Sequence, residues 1–140
     1  MPFVNIKLVK QQVDNESKQL LIDGIMDIIV KIMGRDRNFT VITLDELDSS
    51  NWFIGGQPIS KTGQTHGNLI YVEIKISKGT SNPKQMLEVI KAGKELMNNV
   101  LGKSDETNYF VINELNPDSW GFDGISMTER NILEQNKQTS

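Results

Sequence analysis

A proline stands at position 2, directly ahead of an alternating stretch, FVNIKLV, at residues 3–9. Proline has no backbone N–H, so the first residue of a strand tolerates it, and that alone could account for its place. The other account is chemical: with Met1 removed, Pro2 carries a free secondary amine at the end of a rigid strand, able to take up a proton and return it. Little else in the chain offers chemistry. The absence of cysteine excludes a disulfide framework, thiolate ligands and a Cys nucleophile. The single histidine, His66, lies in the connector SKTGQTHG and reads as a solvated linker side chain, since flexible tips position groups poorly. Glu46 and Glu114 could activate water, but each reads as a strand-edge charge in solvent. No metal and no cofactor is expected.

The elements that would hold Pro2 are written twice. FVNIKLV and, at residues 69–76, LIYVEIKI alternate with period two and read as half-buried strands. A helix-period stretch follows each. In the first, Asp14 or Asn15 can cap a helix whose apolar stripe is Leu21, Ile25, Ile28, Ile29 and Ile32, ending at Gly34. In the second, Asn82 can cap, Pro83 falls at the first helical position, and the stripe is Val89, Gly93, Leu96, Met97 and Val100, ending at Gly102. A shift of 68 carries one stripe onto the other. Further strands, NFTVITLDEL and NYFVINEL, lead to turns holding Trp52 and Trp120, each 18 positions beyond its glycine. The expected organisation is a first unit at 1–58, a linker at 59–67, a second unit at 68–126 and a mostly polar tail at 127–140 with a short helix.

A strand, a crossover helix and a parallel strand make a right-handed β-α-β unit. Two in tandem give an α/β fold: a four-stranded sheet with both helices on one face. Apolar residues read on both sides of these strands, so the other face is expected to be covered by self-association. The chain has 140 residues, 15 basic against 18 acidic, a net charge of −3 and 37% hydrophobic residues. That balance gives no footprint for nucleic acid or an anionic membrane, and no stretch has the length of a membrane span. MPFVNIKLVK has neither a basic leader nor an apolar core, so a cytoplasmic protein is expected.

MPFVNIKLV followed by helix, strand and NWFIGG resembles the 4-oxalocrotonate tautomerase family of the tautomerase superfamily. The resemblance covers residues 2–58 well and 68–125 more loosely, like a fused, double-length member. It implies a homotrimer and a keto–enol isomerase. The N-terminal proline would move a proton in a small-molecule enol or keto acid, of 2-hydroxydienoate or aryl-enolpyruvate type. Pro2 would be the general base and acid, its amine pulled down by an apolar pocket to which Phe3, Ile54 and Trp52 (or Trp120) could contribute. The second unit opens on Asn68, Leu69 and Ile70, an internal peptide without an amine, so one site per chain is expected.

The family's two substrate-holding arginines have no match here. Gln12 and Thr80 stand at the first position, and Thr40 or Val41 and Asn108 or Tyr109 at the second. Lys10 and Lys78 lie near the first and could meet a carboxylate as point charges. Arg35 and Arg37 read as a solvated cluster at a helix C-terminus. Without a bidentate clamp an aryl-pyruvate type of substrate fits better than a dicarboxylate. The alternative is a tautomerase-fold protein with impaired catalysis that binds a small ligand or serves assembly.

Overall fold

The computed structural model describes residues 1–10, 12–61 and 66–139. Four of the nine positions of the linker expected at 59–67, positions 62–65, lie outside the described residues. The elements are β1 (Phe3–Val9), α1 (Asn15–Asp27), β2 (Val41–Leu47), a small hairpin of β3 (Phe53–Ile54) and β4 (Gln57–Pro58), then β5 (Ile70–Ser77), α2 (Pro83–Leu101), β6 (Phe110–Leu115), a second hairpin of β7 (Gly121–Phe122) and β8 (Ile125–Ser126), and α3 (Met127–Thr139). The four long strands form one sheet in the order β2-β1-β5-β6.

Local chemistry sets the ends of the helices. The Asp14 carboxylate accepts from the Ser17 N–H at 2.7 Å, and the Asn82 side chain from the Gln85 N–H at 2.9 Å, each satisfying one donor that the first helical turn leaves free. Pro83 occupies the first turn of α2. Beyond Asp27 the helix widens into a π turn over Ile28–Ile32 and stops at Gly34, whose φ of 66° suits a residue without a Cβ.

β1 pairs parallel with β2, and β5 parallel with β6, so each unit is the expected β-α-β crossover. The units join through β1 and β5, which run antiparallel with Phe3 opposite Lys75 and Leu8 opposite Ile70. This pairing relates the units by an approximate two-fold axis, so the beginning of each unit's first strand lies beside the end of the other's.

The core is the layer between sheet and helices. Val4, Ile6, Leu8, Ile70, Val72, Ile74 and Ile76 meet Leu21, Ile25, Ile29, Val89 and Met97, all buried. The opposite sheet face is mixed: Phe3, Val41, Tyr71 and Val111 share it with polar residues, so apolar residues do occur on both sides, as expected. It carries Asn5, Lys7, Thr43, Asp45, Glu73, Lys75 and Asn113, linked by Asn5 to Thr43 at 2.7 Å, Lys7 to Asp45 at 3.4 Å and Lys75 to Glu73 at 3.4 Å. Period-two alternation sends these polar residues to one face and the fully buried Val, Ile and Leu of β1 and β5 to the other. On the open side the most exposed apolar groups stand at the sheet edges, where Val41 on β2 is 50% exposed and Tyr109, just before β6, is 71% exposed.

Candidate active site

Pro2 is buried at the head of β1, its carbonyl accepting from the Val41 N–H at 3.4 Å. Because β5 is antiparallel, continuing the register sets Ile76 and Ser77 abreast of Pro2 and Met1. The loop after β5, with Lys78, Gly79 and Thr80, therefore belongs to the Pro2 end. So does the second unit's hairpin: the Trp120 indole donates to the Ser77 hydroxyl at 3.0 Å, and the Phe122 ring lies 5.7 Å from Phe39, two residues before Val41. The Arg130 guanidinium, from α3, stacks 3.6 Å over Phe122 and donates to its carbonyl at 2.9 Å.

Arg35 completes this end, and its placement corrects the solvated-cluster reading. The chain turns at Gly34 and sends the Arg35 side chain across to the other unit, where one Nη donates to both the Thr80 carbonyl and its hydroxyl at 2.9 Å. Arg37 does match a surface charge, 3.8 Å from Asp27. The Nε atoms of Arg35 and Arg130 are buried without a hydrogen-bond partner among the described residues, and both residues flank the same strand end. A buried donor left unpaired costs about 1–3 kcal/mol, more when charged.

The amine at the start of the chain is held below its ordinary value, first by burial and then by the Arg35 charge; Glu134 of α3 and Asp36 oppose the shift. Both lowering causes act by disfavouring the ammonium form.

The other expected site residues do not gather at Pro2 within the chain. Phe3 adjoins Pro2 but takes the open sheet face, with the Lys75 ammonium 5.7 Å from its ring centre. Trp52 and Ile54 lie against Ile70, Tyr71, Thr107 and Tyr109, at the Leu8 end of β1 and so about 20 Å of strand away from Pro2. Lys10 and Gln12 follow β1 and share that far end. Gln12 is committed to the backbone, donating to the Leu69 carbonyl at 2.9 Å and accepting from its N–H at 2.8 Å. The reason is the antiparallel junction: each unit's hairpin and post-strand loop serve the other unit's strand head. Trp120, named as the substitute for Trp52, and Lys78 are at the Pro2 end. Glu46 is paired with Lys18 at the far end, and Glu114 is exposed.

At the far end the second unit keeps a cavity of about 870 Å³ among Ile54, His66, Ile90, Lys94, Lys103 and Phe110. His66 is not a solvated linker side chain: it is 16% exposed and sits 3.3 Å from the Asp105 carboxylate. Burial pushes that carboxyl up, but hydrogen bonds from Thr107, the Gly67 N–H and His66 outweigh it and hold it below the usual range. The strand head here is the internal peptide Asn68–Ile70, with no amine to act as base.

A double β-α-β chain with a proline at the head of its first strand, boxed in by the other unit's hairpin, defines a fused tautomerase-type scaffold. A family model described as "Tautomerase enzyme" matches residues 2–62 and 71–130, and the chain belongs to that family; its activity class is that of a tautomerase, an isomerase. A probable tautomerase of Helicobacter pylori (strain J99) is 44% identical over 61 residues, 42% of this chain and 90% of that protein. Probable tautomerase K2 of Dickeya dadantii is 39% identical over 64 residues, 46% of this chain and 96% of its own length, so these relatives are about one unit long. Among solved structures, a native fused 4-OT superposes with a TM-score of 0.82 at 19% identity, covering 92% of this chain and 98% of that one. A fused 4-OT described as a symmetric trimer gives 0.77 at 15% identity, covering 90% and 96%. At such identities these structures are like this chain in fold. No helix among the described residues is long and apolar enough to cross a membrane.

Proposed function

We propose that this chain is a keto–enol tautomerase in which Met1 is removed and the Pro2 nitrogen acts as general base and then general acid. A general base works best with a pKa near the operating pH, and a secondary amine in water is too basic. The observation that carries the reading is the buried place of Pro2 at the head of β1, next to the Met1 amine, which burial and then Arg35 hold below its ordinary value. Removal of Met1 moves the amine one residue inward, onto a proline that is already buried. The free base would take the proton from the enol of a small 2-oxo acid, and the ammonium so formed would deliver it to carbon.

The same reading has one site per chain and three chains per assembly. Strands β2 and β6 are open edges, flanked by exposed Val41, Phe39 and Tyr109. Open edges recruit further strands. A head-to-tail contact between β6 of one copy and β2 of the next closes into a ring around the polar sheet face. The trimeric fused 4-OT structure supports that number. The test is the mass of the mature chain, followed by the rate of phenylenolpyruvate ketonisation in wild type and Pro2→Ala. Equal rates in the two proteins overturn the assignment.

A further inference from the structure

The end of the sheet opposite Pro2 has no amine to act as base, yet it holds a built cavity that the proline reaction leaves unused. Its volume of about 870 Å³ falls within the range of small-molecule sites, about 300–1,000 Å³. Ile90 and Met97 of α2, Phe110 of β6 and Ile54 from the first unit's hairpin give it apolar walls, and the exposed Lys94 and Lys103 stand at its rim. The two units differ here: 68 positions before Lys94 stands Met26, which is buried. Polar bonds hold the walls in place. One Asp105 oxygen lies 3.3 Å from His66 Nδ1 and accepts from the Gly67 N–H at 3.2 Å; the other accepts from the Thr107 N–H at 2.9 Å and hydroxyl at 2.6 Å. Gly67 makes this approach possible, since a Cβ there would lie 2.6 Å from the Asp105 nitrogen. Asn108 accepts from the Ile70 N–H at 3.1 Å and donates to the Asn68 carbonyl at 2.8 Å. Walls fixed before binding cost less ordering when a ligand enters. The same bonds engage the Asp105 charge. Lys94 and Lys103 form no ion pair among the described residues, and Glu106 is the remaining carboxylate of the lining, so the rim carries an excess of positive charge.

We propose that this cavity is a second ligand site, for a small organic anion whose apolar body of one or two rings lies among Ile54, Ile90 and Phe110 and whose acidic group meets Lys94 and Lys103. A lysine ammonium is a compact point charge that imposes no bidentate geometry, so a carboxylate, a sulfonate or a phosphate serves equally as the acidic group. Neither lysine takes part in the Pro2 reaction, and the site stands whether or not Pro2 is the base.

The probes are anilinonaphthalene sulfonate and phenylnaphthylamine, the same fluorophore without its sulfonate, titrated by fluorescence into the full-length folded protein. The proteins are wild type, Lys94→Gln/Lys103→Gln, Ile90→Trp and Pro2→Ala, with melting curves to confirm folding. Wild type should bind one sulfonate per chain, and added salt should weaken that binding but not the binding of phenylnaphthylamine, because exposed charges are screened. The double lysine variant should bind the sulfonate about fivefold more weakly and phenylnaphthylamine within about twofold of wild type. Ile90→Trp, which fills the cavity, should lose both probes, and Pro2→Ala should bind both as wild type does. A wild type that binds neither probe overturns the proposal; a neighbouring copy seated over the cavity would give that result. Sulfonate binding that survives undiminished in the lysine variant or in Ile90→Trp puts the dye elsewhere and overturns it too, as does loss of binding in Pro2→Ala. If the lysine variant fails to fold, the salt series on wild type still decides, since equal sensitivity of the two probes removes the role of the lysines.

Discussion

Which hairpin walls the Pro2 site is decided by a matched pair of truncations, Phe122→Ala and Ile54→Ala. These residues occupy equivalent places in the two units, 68 positions apart. Phe122 touches Phe39 at 5.7 Å and carries the Arg130 guanidinium at 3.6 Å, and Ile54 lines the far-end cavity. An aromatic pair contributes about 0.5–1.5 kcal/mol beyond its buried area. A half-exposed cation–π contact adds about 0.5–1 kcal/mol, up to about 2 when desolvated. Phe122→Ala therefore removes about 1–3 kcal/mol of packing from the wall that the second hairpin and α3 form at the Pro2 end. If all of it serves the transition state, kcat/KM falls by between about fivefold and a hundredfold. Ile54→Ala removes contacts about 20 Å of strand away and should leave kcat/KM within about twofold of wild type. The assay is phenylenolpyruvate ketonisation at several substrate concentrations, with melting curves to confirm that both variants are folded. An Ile54→Ala protein as impaired as Phe122→Ala, or more so, would refute the reasoning and return the first hairpin to the Pro2 pocket.

Three further outcomes are expected. Arg35→Gln removes a cation beside the amine, so its pKa should rise; since the free base is the active form, the acid limb of the kcat/KM–pH profile should move to higher pH, and Arg35→Lys should hold it in place. Gln12→Ala strands the Leu69 N–H and carbonyl, with Leu69 itself buried, and should cost about 1–3 kcal/mol in a urea melt without changing kcat/KM. Gly93→Ala would put a Cβ 2.3 Å from the Phe110 ring, so the ring or the helix must shift. Overpacking of about 1–3 kcal/mol should exceed the gain of about 1 kcal/mol in helix propensity, so the melt at fixed protein concentration should shift to lower urea.

Local signals carried most of the fold. Asp14, Asn82, Pro83, Gly34 and Gly102 act over a few residues, and the 68-residue echo of the stripes exposed the duplication. The antiparallel junction of β1 with β5 is a long-range pairing that no periodicity records, and it decides which hairpin faces which strand head. The place of Pro2 at a strand head was therefore legible, while the position of Trp52, Ile54, Lys10 and Gln12 at the opposite end of that strand within one chain was not. Arg35 was missed because a charge after a helix C-terminus ordinarily faces water. Only the two acceptors of Thr80, 45 residues away, draw it inward. Arg130 sat in a stretch whose polarity suggested a tail. Its signal was the preceding GFDG turn, which the first unit matches with FIGG but does not follow with a described α-helix.

The most direct measurement is a ¹⁵N NMR titration of the N-terminal nitrogen in the mature chain, with its mass taken on the same sample. The expected result is a chain lacking Met1 whose proline nitrogen titrates below the ordinary range of an exposed α-amino group, about 7.7–8.0. A chain that keeps Met1, or a proline nitrogen that titrates as it would in open water, would contradict the account.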